Sequence, residues 1–307
     1  MPSYNFLREA KVYIVYGGNQ YNVDISAVSF SQTFTEESYP VKTLHTQTNM
    51  FEGSVINTAN PANFSFTLPM LRESDFSVVF DLLIDYDATG SNLKSFDLYV
   101  STEQDVFKLQ TCVITNGSFI IEKLRPLSLT VSGEASKLTK VGTKAGYTIP
   151  GSVQSRTGSL TYNRVSDLTV TLNSSALSDI TRVAVELQNE INWTPYKTVN
   201  NAVAVTSASN SMFPTSYTLE KRILAGSLQQ YVTDTNGSNL FTWDTGASLR
   251  IQAGQNVGGT LYGIDLNMTA CSFTNRMATG QVFVQNYDWR LLQNPTDLGS
   301  IFTYTTL

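Results

Sequence analysis

Asp24-Ile25-Ser26-Ala27-Val28 returns as Asp179-Ile180-Thr181-Arg182-Val183, and this pair of stretches decides how the chain is built. The displacement is 155 residues, from position 24 to position 179. Further on, Tyr39-Pro40-Val41-Lys42-Thr43-Leu44 is answered by Thr194-Pro195-Tyr196-Lys197-Thr198-Val199, with Pro40 and Pro195 again 155 apart. Two patterns held in one register without a gap mark a repeated unit, and a fixed period constrains every later inference. The period is about half of the 307 residues, so the expectation is one domain copied and fused to itself. The boundaries are 1–150 and 151–307, each half long enough to bury a core, with the hinge in the Gly-, Ser- and Thr-rich stretch Gly142–Gly158.

Composition narrows the function classes. The chain is 41% hydrophobic but only 15% charged, so its surface is covered largely by Ser, Thr, Asn and Gln. Such a surface suits large assembly contacts better than a monomer kept soluble by charge. The net charge is −5 and no run of Lys or Arg occurs, which argues against gripping nucleic acid. Cys112 and Cys271 fall in similar regions of the two halves and read as small buried hydrophobes; a disulfide between them is the alternative. Met1-Pro2-Ser3-Tyr4-Asn5 is not a basic segment followed by an apolar one, so no signal peptide is expected, and the chain is expected to be made in a cytoplasm. No apolar run approaches the ~18 residues of a membrane helix.

Periodicity supplies the elements. Lys11–Tyr16 and Tyr21–Ile25 flank Gly17-Gly18-Asn19-Gln20, a hairpin signal. From Val28 the alternation predicts a strand, with Val28, Phe30 and Phe34 against Ser29, Ser31, Thr33, Thr35 and Glu37. Its copy sets Val183, Val185 and Leu187 against Ala184, Glu186, Gln188 and Glu190. Between Ser38 and Pro61 the period is lost, which predicts a long loop. Alternation resumes at Phe64, Phe66 and Leu68, and Tyr217-Thr218-Leu219 answers Phe66-Thr67-Leu68. Phe76, Val79, Phe80 and Leu83 then take helical spacing, closed by Asp87-Ala88-Thr89-Gly90. Leu219, Ile223, Leu224, Leu228, Tyr231 and Val232 predict a second helix, closed by Asn236-Gly237. Short strands follow in both halves: around Phe96–Val100, Leu109–Thr115, Phe119–Ile121 and Leu127–Ser132, then around Leu249–Ala253, Leu261–Met268 and Gln281–Val284. The fold class is mainly β, with two tandem β-sandwich or barrel domains of about seven strands and one amphipathic helix each.

No chemistry emerges. With His45 as the single histidine, a His-rich metal site is impossible, and there is no Cys-x-x-Cys. A Ser-His-Asp triad would need His45, which sits in the irregular loop without a counterpart and reads as a surface or interface residue. Glu36-Glu37, or Asp97 with Glu103, could be offered as glycosidase carboxylates, yet solvated strand ends account for them. The expectation is no enzyme, no cofactor and no metal.

Strand, long loop, strand, helix and then a run of strands resembles the major tail tube protein of long-tailed bacteriophages. The resemblance rests on the Ser38–Pro61 loop between amphipathic strands and on the helix that follows Phe66-Thr67-Leu68, and it covers the chain twice. It resembles the duplicated type, in which three two-domain subunits imitate a hexamer in a flexible, non-contractile tail. It implies that each domain lends four strands to a barrel of about 24, with a backbone diameter of ~48 Å and a bore of roughly 35–40 Å.

The faces expected toward the bore carry Ser29, Ser31, Thr33, Thr35, Glu37, Ser128 and Thr130, then Glu186, Gln188 and Glu190. Hydroxyls and acids give a phosphate backbone no cationic foothold, so DNA would slide. The loops Tyr39–Pro61 and Thr194–Pro214 are expected to join subunits or rings. Their contact residues would be Tyr39, Pro40, Lys42, His45, Met50 and Phe51, then Trp193, Pro195, Lys197, Met212 and Phe213. Implied partners are further copies of the chain, the tape-measure protein and DNA in transit, and the tail-tip and tail-terminator proteins, with no membrane. Rival readings are a contractile-tail tube or tail-tip ring of the same fold, a carbohydrate-binding module on a virion surface, and, last, a depolymerase.

Overall fold

The computed structural model describes residues 7–41, 51–70, 73–122, 124–156, 164–193, 212–234, 246–292 and 297–305, most of them in β-strands. The first half opens with a hairpin of β1 (Lys11–Tyr16) and β2 (Asn19–Val23), turned by Gly17 and Gly18 at φ 58° and 79°. Two successive positive φ values match the twist of a tight hairpin, and glycine takes them without steric cost. There follow β3 (Ala27–Ser31), β4 (Phe34–Val41), β5 (Phe51–Ala59), β6 (Ala62–Pro69), helix α1 (Glu73–Ile84), β7 (Phe96–Ser101), β8 (Asp105–Glu122) and β9 (Ser128–Thr143). The second half holds β10 (Ser152–Val153), β11 (Asp167–Leu172), β12 (Ser175–Ala176), β13 (Ile180–Trp193) and β14 (Tyr217–Tyr231). It continues through β15 (Ala247–Val257), β16 (Thr260–Thr279), β17 (Phe283–Leu291) and β18 (Phe302–Thr305). The fold is mainly β and sandwich-like, with one α-helix among the described residues, and the single chain closes no barrel.

The two halves pair their strands in the same order. β1 pairs β2 and β7, as β11 pairs β12 and β15. β3–β6–β9–β8–β7 is matched by β13–β14–β17–β16–β15. Each half carries a cysteine at the same irregularity: the register shifts between Phe96↔Cys112 and Leu98↔Leu109, and again between Ala247↔Cys271 and Leu249↔Met268. Both cysteines are buried and free, and burial pushes the Cys271 thiol up to about 12 and that of Cys112 well above its ordinary value. They are the small hydrophobes the sequence suggests.

The core is continuous. Val12, Phe66, Leu83 and Phe119 belong to one buried cluster with Val183, Leu228, Trp289 and Phe302. The connection between halves is lashed to the first: β10 pairs β2, and Arg156 donates to both carboxylate oxygens of Asp24 at 3.0 and 2.9 Å. Helix α1 buries the expected stripe of Phe76, Val79, Phe80 and Leu83, and the Asp87–Gly90 turn follows it, with Gly90 at φ 71°.

Four expectations are corrected. Leu219–Val232 is not a helix: Tyr217–Tyr231 is strand β14. Its buried face reads Arg222, Leu224, Leu228 and Gln230, with Gly226 beneath the Trp289 ring. Polar and glycine positions erase the period of two there, and the remaining apolar residues happen to fall at helical spacing. Cross-strand partners also show that Leu228, opposite Tyr287, stands where Phe66 stands opposite Val131, so Tyr217 is not its match. Asn236 and Gly237 lie outside the described residues.

The strand from Val28 to Glu37 is broken at Gln32 and Thr33. The Gln32 amide donates to the carbonyls of Asn60 (2.9 Å) and Ser136 (3.2 Å) and accepts from the Leu138 N–H (2.9 Å). These bonds pin the point where β3 ends and a separate arm departs. The irregular loop expected over Ser38–Pro61 is largely that arm: β4 and β5 pair antiparallel as a two-stranded sheet of their own. Backbone pairing outside the main sheet leaves no period in the sequence, which is why the arm reads as loop.

Candidate functional site: an eight-stranded wall with two open edges

The halves are joined by strand pairing. Asn116–Glu122 of β8 pairs antiparallel with Arg182–Gln188 of β13, which makes a continuous wall of eight strands, β3–β6–β9–β8–β13–β14–β17–β16. Alternation gives the wall one apolar face and one polar face. At the seam the apolar face is closed by Phe119, Ile121, Val183 and Val185, each at most 1% exposed. Helix α1 covers this face, with Leu83 seated over Gly117 where a Cβ would come within 2.4 Å.

The polar face is drawn from every strand. One row runs Ala27, Thr67, Thr130, Ser118, Glu186, Ala225, Arg290, Ser272, each residue opposite the next. A second runs Ser29, Ser65, Ser132, Asn116, Gln188. Thr67 and Thr130 share a hydroxyl hydrogen bond of 3.2 Å, and Glu186 accepts from Asn116 Nδ2 (2.7 Å) and Gln188 Nε2 (3.0 Å). Arginines that the sequence reading did not place here also face this way. Arg182 stands 3.6 Å from Glu122, Arg276 pairs with Asp288, and Arg290 is exposed. Two of the three cations are thus matched by carboxylates, and the surface offers mixed, mostly neutral contacts.

The expected bore residues therefore divide. Ser29, Ser31, Ser128, Thr130, Glu186 and Gln188 lie on the wall. Thr33 and Thr35 instead bond the Asn60 amide (2.9 and 3.0 Å) where the arm leaves the sheet. Glu37 is in β4 of the arm, and Glu190 lies near the far end of β13, 3.8 Å from Lys221. Of the expected contact residues, Lys42, His45, Met50, Pro195 and Lys197 lie outside the described residues, while Tyr39, Pro40 and Phe51 belong to the paired arm.

Trp193, Met212 and Phe213 are engaged within the chain. Met212 and Phe213 are buried against Ala59, Phe213 meets Phe34 edge-on, and Lys137 lies 4.5 Å over its ring. The Trp193 indole donates to Glu134 (2.7 Å), and Tyr217 donates to the Leu93 carbonyl (2.7 Å). The second half's long connection thus begins and ends on the first half. Asp97 is structural as well: it pairs with Lys108 (2.8 Å) and accepts from the backbone of Thr111, a non-glycine residue at φ 52°.

Two edges of the wall carry no strand among the described residues: the side of β3 away from β6, and the side of Thr274–Thr279 away from β17. Open edges of this kind are either guarded against pairing or used for it.

A family model described as the bacteriophage baseplate tube protein family matches residues 2–303. The chain is also 26% identical over 208 residues to baseplate tube protein p140 of Escherichia phage T5, covering 62% of this chain and 65% of that protein. Both point to a tube protein of the baseplate, where the sequence resemblance had pointed to the major tail tube protein.

Proposed function

The chain belongs to the bacteriophage baseplate tube protein family and has a structural role in the phage tail, and from that premise we propose that it builds one ring of the tube through which the genome passes. The observation that carries this reading is the eight-stranded wall, which has one face of hydroxyls, amides and mostly matched charges and, among the described residues, an open edge at each end. Three such chains would supply about 24 strands, enough for a barrel of ~48 Å backbone diameter. The polar face would line the bore. Duplex DNA and a tape-measure protein would pass over it with few unmatched cations to hold a phosphate.

The recurring strand order supports a duplicated domain, so that three chains present six similar sectors. Rings would stack on neighbouring tail-tip and tube proteins, at the baseplate end that the family description favours. Assembly would take place in the host cytoplasm, and the protein would have no catalytic activity of its own.

Electron microscopy with sedimentation analysis tests the proposal. Hollow rings with three large lobes, of a mass near three 33.8 kDa chains, are expected on raising the concentration. A compact monomer at every concentration, in the presence of neighbouring tail proteins as well, would overturn it.

A further inference from the structure

The molecule contains a template for how its copies join. The open strand β3 occupies the place that β13 holds at the internal seam: Val28 faces Phe66 as Val183 faces Leu228. The open stretch of β16 occupies the place of β8: Asn275 faces Tyr287 as Gly117 faces Val131. Counting along these strands, Met277 corresponds to Phe119, Ala278 to Ile120, Phe30 to Val185 and Ser29 to Ala184. At the seam, Phe119 lies opposite Val185 and Ile120 opposite Ala184.

We propose that Thr274–Gly280 pairs antiparallel with Ala27–Thr33 of a second copy of this chain, with Met277 opposite Phe30 and Ala278 opposite Ser29. The inference rests on the ring reading and adds the edges and their register.

Burial supports it. Met277 is 52% exposed although its counterpart Phe119 is 1% exposed, and Val28 and Phe30 are half-buried although Val183 and Val185 are closed off. Asn275 Oδ1, at the same edge, is buried without a donor among the described residues. Each open edge is therefore half of a junction whose finished form stands in the middle of the wall. The alternation agrees in phase, since this register sets Met277 and Phe30 on the apolar face and Ala278 and Ser29 on the polar face. A one-residue slip would exchange the faces. Joining unlike edges is head-to-tail, the kind of contact that generates rings when the rotation closes. The outer junction is also the weaker of the two. Where the seam has the Glu122–Arg182 pair it has Gly280 and Ala27, and where the seam has Ile121 it has Thr279. Chains would fold first and join afterwards.

The test is cross-linking in assembled particles of the full chain. Ser29→Cys with Ala278→Cys places two thiols on a facing pair, whose Cα separation of about 4.5–5.5 Å suits a disulfide. Both positions are exposed, and native Cys112 and Cys271 are buried and silent. Oxidation is expected to give covalent oligomers that reductant dissolves, while Ser31→Cys with Ala278→Cys, displaced by two residues, gives none. Oligomers without the first cross-link, or with only the second, would overturn the register and leave the ring reading standing. Monomer in sedimentation at every concentration, with neighbouring tail proteins present as well, would overturn both. As a second variant, Met277→Lys is expected to raise the concentration for half-assembly about tenfold or more with the monomer's melting temperature unchanged. Unaltered assembly of that variant would also count against the junction.

Discussion

Gly133 and Gly226 occupy equivalent places in the two halves with the roles of the partners exchanged. The Phe64 ring lies across Gly133, and the Trp289 ring lies across Gly226, each from the strand directly opposite. A Cβ on Gly226 would stand 2.0 Å from the Ala184 carbonyl oxygen and 2.5 Å from the indole; on Gly133 it would stand 2.2 Å from the Val113 oxygen. The ring fills the space a side chain would take and covers a backbone that glycine leaves bare. Gly226→Ala is therefore expected to destabilise the fold by about 1–3 kcal/mol, read as a lower denaturant midpoint with an unchanged slope. A second residue-scale device is Arg222, which is 4% exposed. It donates to Asn189 Oδ1 (2.9 Å) and to the Leu83 carbonyl in the last turn of α1 (3.0 Å), and it lies 4.9 Å over the Tyr86 ring. Desolvation lowers its pKa, so the buried cation depends on these acceptors. Asn189→Ala removes one of them and is expected to cost about 1.5–3 kcal/mol in the same measurement, with Asn189→Asp retaining an acceptor.

Helix α1 carries Asp81 and ends at Ile84 with no basic residue in its last turn. Partial desolvation of this otherwise exposed side chain against the protein surface, then the neighbouring Asp85 carboxylate, raises the Asp81 pKa, and Lys94 opposes them only in part. A carboxyl whose folded pKa lies above its unfolded value binds its proton more tightly in the folded state. Its contribution to stability therefore falls as the pH rises from the ordinary value of 3.8 through the folded one. Asp81→Asn removes that loss, along with an anion at the wrong end of a helix dipole, and is expected to stabilise by about 0.3–1 kcal/mol at neutral pH. The gain should vanish in melting curves taken below pH 3.8, where the carboxyl is protonated in both states, and a gain that persists there would contradict the electrostatic cause. This helix was legible in the sequence because Phe76, Val79, Phe80 and Leu83 all face one apolar surface. The β1–β2 hairpin was legible because its glycines sit where the turn requires them. Strand β14 was not, since its inward positions include Arg222, Gly226 and Gln230, each acceptable only because of a partner far away in sequence. The polar wall was half legible: hydroxyls at Ser29, Ser31 and Thr130 alternate visibly, but the departure of the arm at Gln32 depends on bonds to residues 60, 136 and 138. Local pattern carries local burial, and it is silent about a bend fixed by distant carbonyls.

At the scale of the whole chain, the repeat suggests two bodies while the packing makes one. Strand β18 closes the second half, yet its side chains pack on the first: Phe302 lies 5.0 Å from Phe80 and 5.7 Å from Phe119, and Tyr304 lies 4.9 Å from Phe76 and 4.6 Å from Phe80. The seam between β8 and β13 runs through the same core, and Arg222 of the second half caps the helix of the first. Such sharing ties the two together, because neither half can open without exposing the other's apolar face. Unfolding should then be a single transition, with calorimetric and van't Hoff enthalpies in agreement, where two independent domains would give two. Phe302→Ala is the discriminating variant. It removes a buried ring at the junction and is expected to cost about 3–5 kcal/mol. If the halves are one cooperative unit, the whole transition moves down together, and the far-ultraviolet signal of α1 is lost at the same lowered temperature as the near-ultraviolet signal of Trp289. If only one of two transitions moves, the halves fold separately and the seam is a docking contact between finished domains.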